Sequence, residues 1–333
     1  MNIYDVSKRA GVSIATVSRV LNDNPKVSEQ TRKKVLEVME ELGYTPNVFA
    51  RGLGLNTMKT IGIMCSDSSD IYLANAVYFL ERSLRDNGYD SILCCTGYDL
   101  ENKRKYLKLL LSKRIDALIL VGSKFVEMKP KDNAYILKAA KQVPIMLING
   151  HLEGENIYCT LCDDFSAVYQ ATSKLIESGR ENILYLYSSN SFSGNNKMNG
   201  YKKALQEHGK NNNPGLIHQC PKDVSAAKEL LISLHKKNLK FDSIITSDDT
   251  LAIGALKYAH VQQIRIPDEL SIIGYNNSLL ASCAEPELTS VDTKVEALCF
   301  TTINTLMGVF NGSNVPSKTT IAADLINRNT TNF

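Results

Sequence analysis

Residues 2–22 read NIYDVSKRAGVSIATVSRVLN, and this stretch predicts two short helices joined by a tight turn. Asn2 can cap a first helix over residues 3–10, and Gly11 stands where a helix end favours a left-handed residue. A second helix is predicted over residues 14–21. Two short helices with a glycine-containing turn are typical of a helix-turn-helix, whose second helix can lie in a DNA major groove.

The same segment carries the apolar spacing of a three-helix miniature domain. Ser13 can cap the second helix, and Ser28 can cap a third helix that follows the breaker loop NDNPKV at residues 22–27. The side chains predicted to share one core recur at helical spacing. They are Val17, Val20, Leu21, Val35, Val38, Met39 and Leu42.

From residue 60 onward, strand-like apolar runs alternate with helix-length segments. The predicted strands are 60–65, 91–95, 117–121, 144–148, 183–187, 242–246 and 271–275, and the predicted helices are 72–87, 100–113, 165–178, 196–208, 223–236 and 249–261. This alternation indicates parallel α/β sheets. The stretch is too long for one usual domain, so two lobes are predicted, with a ligand crevice at the carboxyl ends of their strands.

Several motifs closely resemble the LacI/GalR family of transcriptional regulators. The helix-turn-helix is followed by LGYTPN at 42–47 and ARGL at 50–53, and the core carries SDDTLAIG at 247–254, IPDELSIIGY at 266–275 and ELTSV at 287–291. The resemblance covers the whole chain. It implies a small all-α helix-turn-helix domain followed by an α/β periplasmic-binding-protein-like core of two parallel-sheet lobes.

The resemblance also implies domain boundaries. Residues 1–45 correspond to the DNA-binding domain, 46–58 to a hinge helix and linker, and 59–333 to an effector-binding and dimerisation core. Within the core we expect lobe 1 over about 59–156 and 285–318, and lobe 2 over about 157–284 and 319–333. The chain ends just after Leu325 to Arg328, without the leucine heptads that some members use to form tetramers, and this implies a homodimer.

In the family, the start of the recognition helix and an arginine further along it contact base edges, which implies these roles for Ile14, Ala15 and Arg19. Arg19 can bind the O6 and N7 of a guanine bidentately, whereas Ile14 and Ala15 offer only apolar contact. In the family, residues at matching positions around this helix bind DNA phosphates. Each of these residues also has a purely structural alternative, as a helix cap or as a solvated polar side chain. They are Tyr4, Ser13, Thr16, Ser18, Asn22, Ser28 and Tyr44.

Residues 47–54 match the family's hinge helix, which forms on operator DNA and inserts one leucine per subunit into the minor groove. The resemblance implies that Leu53 is that leucine and that Asn47 and Ala50 contact DNA with it. Gly52 and Gly54 each lower helix propensity by about 1 kcal/mol relative to Ala, so an isolated hinge is not expected to be helical. Insertion of an aliphatic side chain kinks the duplex, which makes the deformability of the central step part of specificity.

The resemblance places an effector site between the lobes. Matching positions are Asp70, Ile71, Tyr72, Asp163, Lys197, Ser247, Asp248 and Asn276. Lys197 replaces the usual arginine and Asn276 the usual aspartate, and this exchange loses the bidentate geometry that holds vicinal sugar hydroxyls. Three partners therefore stay open: a sugar, an anionic sugar derivative, or the phosphorylated protein partner of the family's carbon-catabolite regulators. The alternative for Lys197 is a solvent-facing lysine on a helix.

Charge is concentrated at the amino terminus. Residues 1–60 hold 9 of the 38 basic residues and 6 of the 35 acidic ones, so the formal charge of +3 lies entirely in this segment. A small basic head on a neutral body fits nucleic-acid contact, although a solvated helical face has the same appearance.

Composition narrows the class of protein further. No apolar run approaches the roughly 18 residues of a membrane span, and the first ten residues lack a secretory signal, so we expect a cytoplasmic protein without membrane contact. The eight cysteines are scattered over the chain, which predicts reduced, buried thiols. Cys159 and Cys162 have the spacing of half a zinc or redox site, but no second pair completes it, so we expect two side chains in a strand.

Catalytic motifs are absent from the sequence. It contains no G-x-G-x-x-G, no P-loop, no G-x-S-x-G and no H-E-x-x-H, and we expect no enzyme activity, no cofactor and no metal. The sequence thus favours a repressor of carbohydrate-utilisation genes that binds a near-palindromic double-stranded operator as a dimer. The alternative is a free-standing sugar-binding or hydrolytic α/β protein, because fold alone does not define function.

Overall fold

The amino-terminal head contains the three predicted helices. The computed structural model describes residues 2–22, 24–45 and 57–333, and in the head it places α1 at Ile3–Ala10, α2 at Ile14–Leu21 and α3 at Glu29–Glu41. The bounds of α1 and α2 equal the predicted ones. Asn2 begins α1 with a capping box, since its backbone N–H donates to the Asp5 carboxylate at 2.8 Å, and Gly11 ends it at φ 64°.

The three helices enclose a small core of their own. Its buried members are Val6, Ala10, Val17, Val20, Val35, Val38 and Met39, with Leu21, Leu42 and Tyr44 packed against them. The sequence predicted this set for α2 and α3. Because the inner side of α2 is occupied by this packing, its other side is free to face outward.

The remainder of the chain forms alternating strands and helices. In chain order they are β1 Thr60–Cys65, α4 Ile71–Asp86, β2 Asp90–Cys95, α5 Leu100–Ser112, β3 Ala117–Val121, α6 Ala134–Ala140, β4 Ile145–Ile148, β5 Ile157–Cys162, α7 Asp164–Glu177, β6 Ile183–Tyr187, α8 Phe192–Glu207, β7 Ile217–Gln219, α9 Val224–Lys236, β8 Ser243–Thr246, α10 Asp249–Val261, β9 Ser271–Tyr275, α11 Leu279–Cys283, β10 Thr289–Asp292, α12 Val295–Phe310, β11 Lys318–Ile321 and β12 Asp324–Ile326. Short 3₁₀ turns occur at Ser123–Phe125, Pro130–Asn133 and Pro214–Leu216.

The strands form two sheets of six described strands each. The first has the order β11-β5-β4-β3-β1-β2 and is parallel throughout. The second has the order β12-β10-β9-β8-β6-β7 and is parallel except for the β10–β12 edge pair. The predicted architecture, a helical head and a core of two parallel-sheet lobes, is confirmed with this one antiparallel edge.

Strand pairing moves the predicted crossover points between the lobes. Residues 157–162 were placed in lobe 2, but β5 pairs with β4 from Ile145–Ile157 onward and belongs to the first sheet. Residues 285–292 were placed in lobe 1, but β10 pairs with β9 in the second sheet. The last crossover follows β11, which pairs with β5, and so lies after residue 321 instead of 318.

Helices cover both faces of each sheet. In lobe 1, α4 and α12 pack on one face of β1 and β3, while α5 and α6 pack on the other. In lobe 2, α7 and α8 cover one face, and α9 and α10 the other. The central strands are buried on both faces, which explains why they are continuous apolar runs in the sequence.

All eight cysteines are free thiols, as predicted. Six are buried, whereas Cys95 and Cys283 are exposed, so the expectation of burial was wrong for these two. Cys159 and Cys162 both lie in β5, in agreement with two side chains of a strand. Among the described residues, no group of three or more His, Cys, Asp or Glu side chains is placed to hold a metal ion.

The carboxyl ends of the strands position the candidate site. Ser66 follows β1, Asn149 follows β4, Ser188 follows β6 and Asn276 follows β9, and all four line one pocket between the lobes. Parallel sheets bind ligands at this edge because the loops after the strands converge there.

Candidate functional site

The outer side of α2 presents three predicted base contacts. Ile14 is 38% exposed, and Ala15 and Arg19 are exposed as well. Val17 and Val20, on the opposite side, are buried in the head core. The alternative of a core role for Ile14 is therefore excluded, and the arrangement fits a helix that lays its outer side in a groove.

Hydroxyl groups around α2 serve as helix caps. Ser13 Oγ accepts from the Thr16 N–H at 3.1 Å and lies 2.9 Å from Thr16 Oγ1, while Ser28 Oγ accepts from the Thr31 N–H at 3.3 Å. For Ser28 the cap interpretation is thus confirmed. Both serines stay exposed, so capping leaves them accessible to a phosphate.

The other predicted phosphate contacts are placed unequally. Tyr4 is exposed, Ser18 is half-buried, and Tyr44 packs partly on the head core. Asn22 ends α2, and its Oδ1 is buried without a partner among the described residues. Asn47, Ala50 and Leu53 lie outside the described residues, and so does the hinge proper, so their roles stay predictions.

A pocket with about 830 Å³ of empty space lies between the two lobes. Lobe 1 contributes Ser66, Asp70, Tyr72, Leu73, Tyr98, Gly122, Ser123, Lys124 and Asn149, and lobe 2 contributes Asp164, Ser188, Ser189, Ser191, Ser193, Gly194, Lys197, Lys222, Ser247, Asp248, Tyr275 and Asn276, with Thr293 at a crossover between them. Part of this space is open to solvent. Hydroxyl, amide and charged groups dominate the lining, which suits a polar ligand.

Six of the predicted effector residues line this pocket: Asp70, Tyr72, Lys197, Ser247, Asp248 and Asn276. Ile71 and Asp163 do not. The Asp163 carboxylate caps α7 instead, accepting from the Ser166 N–H at 3.0 Å, and its neighbour Asp164 faces the pocket. Ile71 is an exposed residue in the first turn of α4.

One lysine joins the lobes across the pocket. Lys222 Nζ lies 2.7 Å from Asp70 Oδ2 of lobe 1 and 3.9 Å from Asp248 Oδ2 of its own lobe. Burial disfavours the charged form of Lys222, but attraction to Asp248 and Asp70 outweighs it and raises its pKa. A second interlobe bond is close by, since Ser123 Oγ donates to Ser191 Oγ at 2.8 Å.

A second lysine is buried at the lobe 2 side. Lys197 is 8% exposed, which excludes the solvent-facing alternative. Its Nζ donates to the Ser247 carbonyl at 3.1 Å and lies 3.6 Å from the centre of the Tyr275 ring. Burial lowers the pKa of Lys197. On the same ring, the Tyr275 hydroxyl donates to Asp164 Oδ1 at 2.6 Å, and burial raises the pKa of Asp164.

The sequence prediction missed several pocket residues. They are Asp164, Lys222, Lys124, Tyr98, Asn149, Tyr275 and Thr293, together with most of the serines. A usable signal existed for Asn149, because it directly follows the apolar run that became β4. Its amide nitrogen donates to the Tyr72 hydroxyl at 2.7 Å, and its oxygen accepts from the Cys162 N–H at 2.8 Å.

A head with an outward-facing recognition helix and a two-lobed core around a polar pocket defines a ligand-binding, DNA-binding regulator. Family models agree with both parts. Residues 2–47 match the model for bacterial regulatory proteins of the lacI family, and residues 58–329 match the model for periplasmic binding proteins and the sugar-binding domain of the LacI family. The chain belongs to the LacI family of DNA-binding transcriptional regulators.

Relatives agree with this assignment. An HTH-type transcriptional regulator of Lachnoclostridium phytofermentans is 64% identical over 333 residues, covering all of both chains. DegA of Bacillus subtilis is 33% identical over 89% of this chain and 87% of its own. The crystal structure of the Lac repressor dimer bound to operator and the anti-inducer ONPF matches with a TM-score of 0.90 over 99% of both chains, and at 22% identity this shows a common fold. Within the part of the chain that the structure describes, no helix is long and apolar enough to cross a membrane.

Proposed function

We propose that this regulator is a repressor of carbohydrate-utilisation genes that binds a near-palindromic operator as a homodimer. The observation that carries this proposal is the outer side of α2, where Ile14, Ala15 and Arg19 are all exposed. The Arg19 side chain forms no hydrogen bond or ion pair with another described residue, so its guanidinium is available for a guanine. The exposed hydroxyls of Ser13, Ser28 and Tyr4 would then position the head on phosphates.

Two copies are needed because one helix-turn-helix offers too few base contacts for selective binding in a genome. An apolar stripe on α4 supports self-association. Ile71 and Tyr78 lie two turns apart on one side of this helix, and Tyr78 is 57% exposed. A second copy covering this stripe would remove it from water. The related Lac repressor was crystallised as a dimer on its operator.

The interlobe pocket supports control by a small effector with many hydroxyl groups. Serine hydroxyls, two amides and three carboxylates offer both donors and acceptors, and the Tyr72, Tyr98 and Tyr275 rings offer apolar faces. A structural relative, the transcriptional regulator CelR, is known in a complex with cellobiose. We therefore assign the effector to the carbohydrate class.

DNase footprinting on fragments of the source genome tests the proposal. The full-length protein is expected to protect a site with dyad symmetry, and removal of residues 1–55 is expected to abolish protection. Deletion of the gene should raise transcription of the genes beside the site. A protected single half-site, or transcription that falls on deletion, would contradict the dimer or the repressor role respectively.

A further inference from the structure

Several helices begin at the wall of the interlobe pocket, and three of them, α4, α8 and α10, differ in their caps. Asp70 caps α4, accepting from the Tyr72 N–H at 3.0 Å, and Asp248 caps α10, accepting from the Leu251 N–H at 3.2 Å. The α8 helix is capped by the neutral Ser191, which accepts from the Gly194 N–H at 3.2 Å. A helix N-terminus carries partial positive charge. Carboxylates compensate this charge at α4 and α10 but not at α8.

A buried ammonium group lies one turn further along α8. Lys197 has three N–H donors, and the structure engages one of them with the Ser247 carbonyl. No described carboxylate lies within 4.0 Å of Lys197 Nζ, in contrast to Lys222, which pairs with Asp70. Asp164 is the nearest compensating group in this part of the pocket, but one of its oxygens is engaged by the Tyr275 hydroxyl. A buried cation without a close counter-ion is costly unless a ligand supplies one.

A second cation reaches the same region from lobe 1. Lys124 lies 4.1 Å from the centre of the Tyr98 ring, and its neighbour Ser123 bonds to Ser191, the cap of α8. Lys124 makes no ion pair with any described residue, and burial lowers its pKa. Lys124 and Lys197 therefore line the same pocket, one from each lobe.

One further unsatisfied polar atom supports a ligand in this pocket. Thr293 is 2% exposed, it lines the pocket, and its Oγ1 has no hydrogen-bond partner among the described residues. An orphan hydroxyl of this kind is rare in a folded protein and calls for a partner. Gly194 is also constrained, since a Cβ there would clash with the Ser189 carbonyl oxygen. Glycine at this position keeps the Ser189 loop close to the start of α8.

We propose that the effector is a polyhydroxylated molecule with an anionic group, either a phosphate or a carboxylate, and that this group binds at the start of α8 beside Lys197, in the pocket that Lys124 also lines. The inference rests on the proposed function only in that the interlobe pocket is the effector site. The anion would meet the α8 N-terminus, the ammonium group of Lys197 and the hydroxyl of Ser191, with Lys124 in the wall of the same pocket. The neutral part of the molecule would then extend toward Asp70, Asn149 and Thr293.

Inorganic phosphate is the minimal probe for this site, and thermal unfolding of the full-length protein is the readout. The wild-type protein, Lys197→Met and the control Lys202→Met are titrated up to about 50 mM phosphate. Lys202 lies on the same helix outside the interlobe pocket. Phosphate stabilises proteins generally, and this effect is common to all three chains. We expect an additional, saturating rise in the midpoint for the wild type and Lys202→Met that Lys197→Met lacks.

A matched set of glucose, glucuronate and glucose 6-phosphate then distinguishes the two anion classes. The preferred anion is expected to bind more tightly than glucose, and Lys197→Met should weaken it about 10- to 100-fold. Methionine preserves length and removes a buried charge, so this variant should fold, and Lys124→Met provides an independent second test. Equal phosphate responses of the wild type and Lys197→Met would overturn the inference, as would tight glucose binding unaffected by either variant.

Gel shifts with operator fragments on the same preparations separate this inference from the proposed function. If the protein binds operator but shows no Lys197-dependent response to the anion, only the proposal of an anionic effector is contradicted. If the protein binds phosphate through Lys197 but protects no DNA, the repressor role is contradicted and the anion site is supported. The two failures are therefore distinguishable in one set of samples.

Discussion

Replacement of Lys222 by methionine should favour the open arrangement of the lobes. Lys222 pairs at 2.7 Å with Asp70 of the opposite lobe, and the side chains are 31% and 11% exposed, so the pair is screened less than a surface pair. Fully exposed pairs are worth up to about 1 kcal/mol, while removal of one partner of a buried pair costs about 3–5 kcal/mol. For this half-buried bridge we expect a loss of about 1–3 kcal/mol.

This loss falls on one state because the bridge exists only when the lobes are close. A shift of about 1–3 kcal/mol changes the ratio of closed to open molecules by about 5- to 150-fold. The variant also leaves Asp70 and Asp248 without the cation between them, and their mutual repulsion acts in the same direction. Methionine cannot restore the bridge, although it fills similar space.

Distance measurements between spin labels on the two lobes, with effector-free protein, give the direct readout. Lys228→Met is the matched control, since Lys228 pairs at 2.9 Å with Glu229 within a single helix of lobe 2. A double-mutant cycle with Asp70→Asn isolates the pair, because asparagine can still cap α4. An unchanged distance distribution in Lys222→Met, together with zero coupling between positions 70 and 222, would refute the reasoning.

Four further outcomes are expected. Arg19→Ala should cost about 1–3 kcal/mol at the cognate operator and leave non-specific binding nearly intact in gel shifts at fixed salt; equal losses on both DNAs would identify a phosphate contact. Leu53→Ala should reduce operator bending in a circular-permutation assay without altering effector affinity in the absence of DNA, and an unchanged bend would exclude the inserted leucine. Gly194→Ala should abolish phosphate binding with operator binding retained, because its Cβ would clash with the Ser189 carbonyl, and calorimetry showing wild-type affinity would contradict this. Anion affinity should fall as the pH rises through the lowered pKa of Lys197, since only the charged form attracts the anion, whereas Lys197→Arg should stay flat between pH 7 and about 10.

The head and the central strands could be predicted from local sequence signals, because these signals do not depend on contacts with distant residues. The sequence of α1 and α2 contains N-cap residues, a helix-terminating glycine and periodic apolar residues in one short stretch, and the bounds of both helices were predicted to the residue. The strands β1, β3, β6 and β9 are buried on both faces, so each is an uninterrupted apolar run with the predicted bounds.

Edge elements were missed because their stability comes from pairing and not from composition. The β7, β11 and β12 strands have three or four residues and partly exposed side chains, so their apolar content is too small to mark a strand. The α12 helix was missed for another reason. Its own apolar residues are distributed around most of its circumference, so it shows no single apolar face, and its β-branched side chains lower its helix propensity. The predicted lobe boundaries were displaced because they depend on the partners of β5, β10 and β11, which only the pairing of the strands reveals.

The pocket residues show the same difference between what local sequence signals predict and what depends on distant contacts. Residues inside recognisable motifs, such as Asp248 and Asn276, could be placed from the sequence. Lys222 and Lys124 are far apart in the chain and from these motifs, and only the approach of the two lobes brings them together. Asp163 and Asp164 illustrate a finer limit. Both are acidic and adjacent, and the residue at which α7 begins decides which one caps the helix and which one faces the pocket.

The interlobe pocket and the segment that follows the head lie at opposite ends of the first strand of lobe 1. The Asp116 carboxylate accepts from the Met58 N–H at 3.1 Å and from the Thr60 N–H at 2.9 Å, so the chain that comes from the head is held at the amino end of β1. The pocket lies at the carboxyl ends of the same sheet, whose strands are buried and close-packed between them. Such a layer moves as a rigid body when one end is displaced, because its close-packed interior cannot deform. A change in lobe closure at Asp70 and Lys222 should therefore move the whole of lobe 1, and in a dimer it would change the separation of the two points at which the heads are attached.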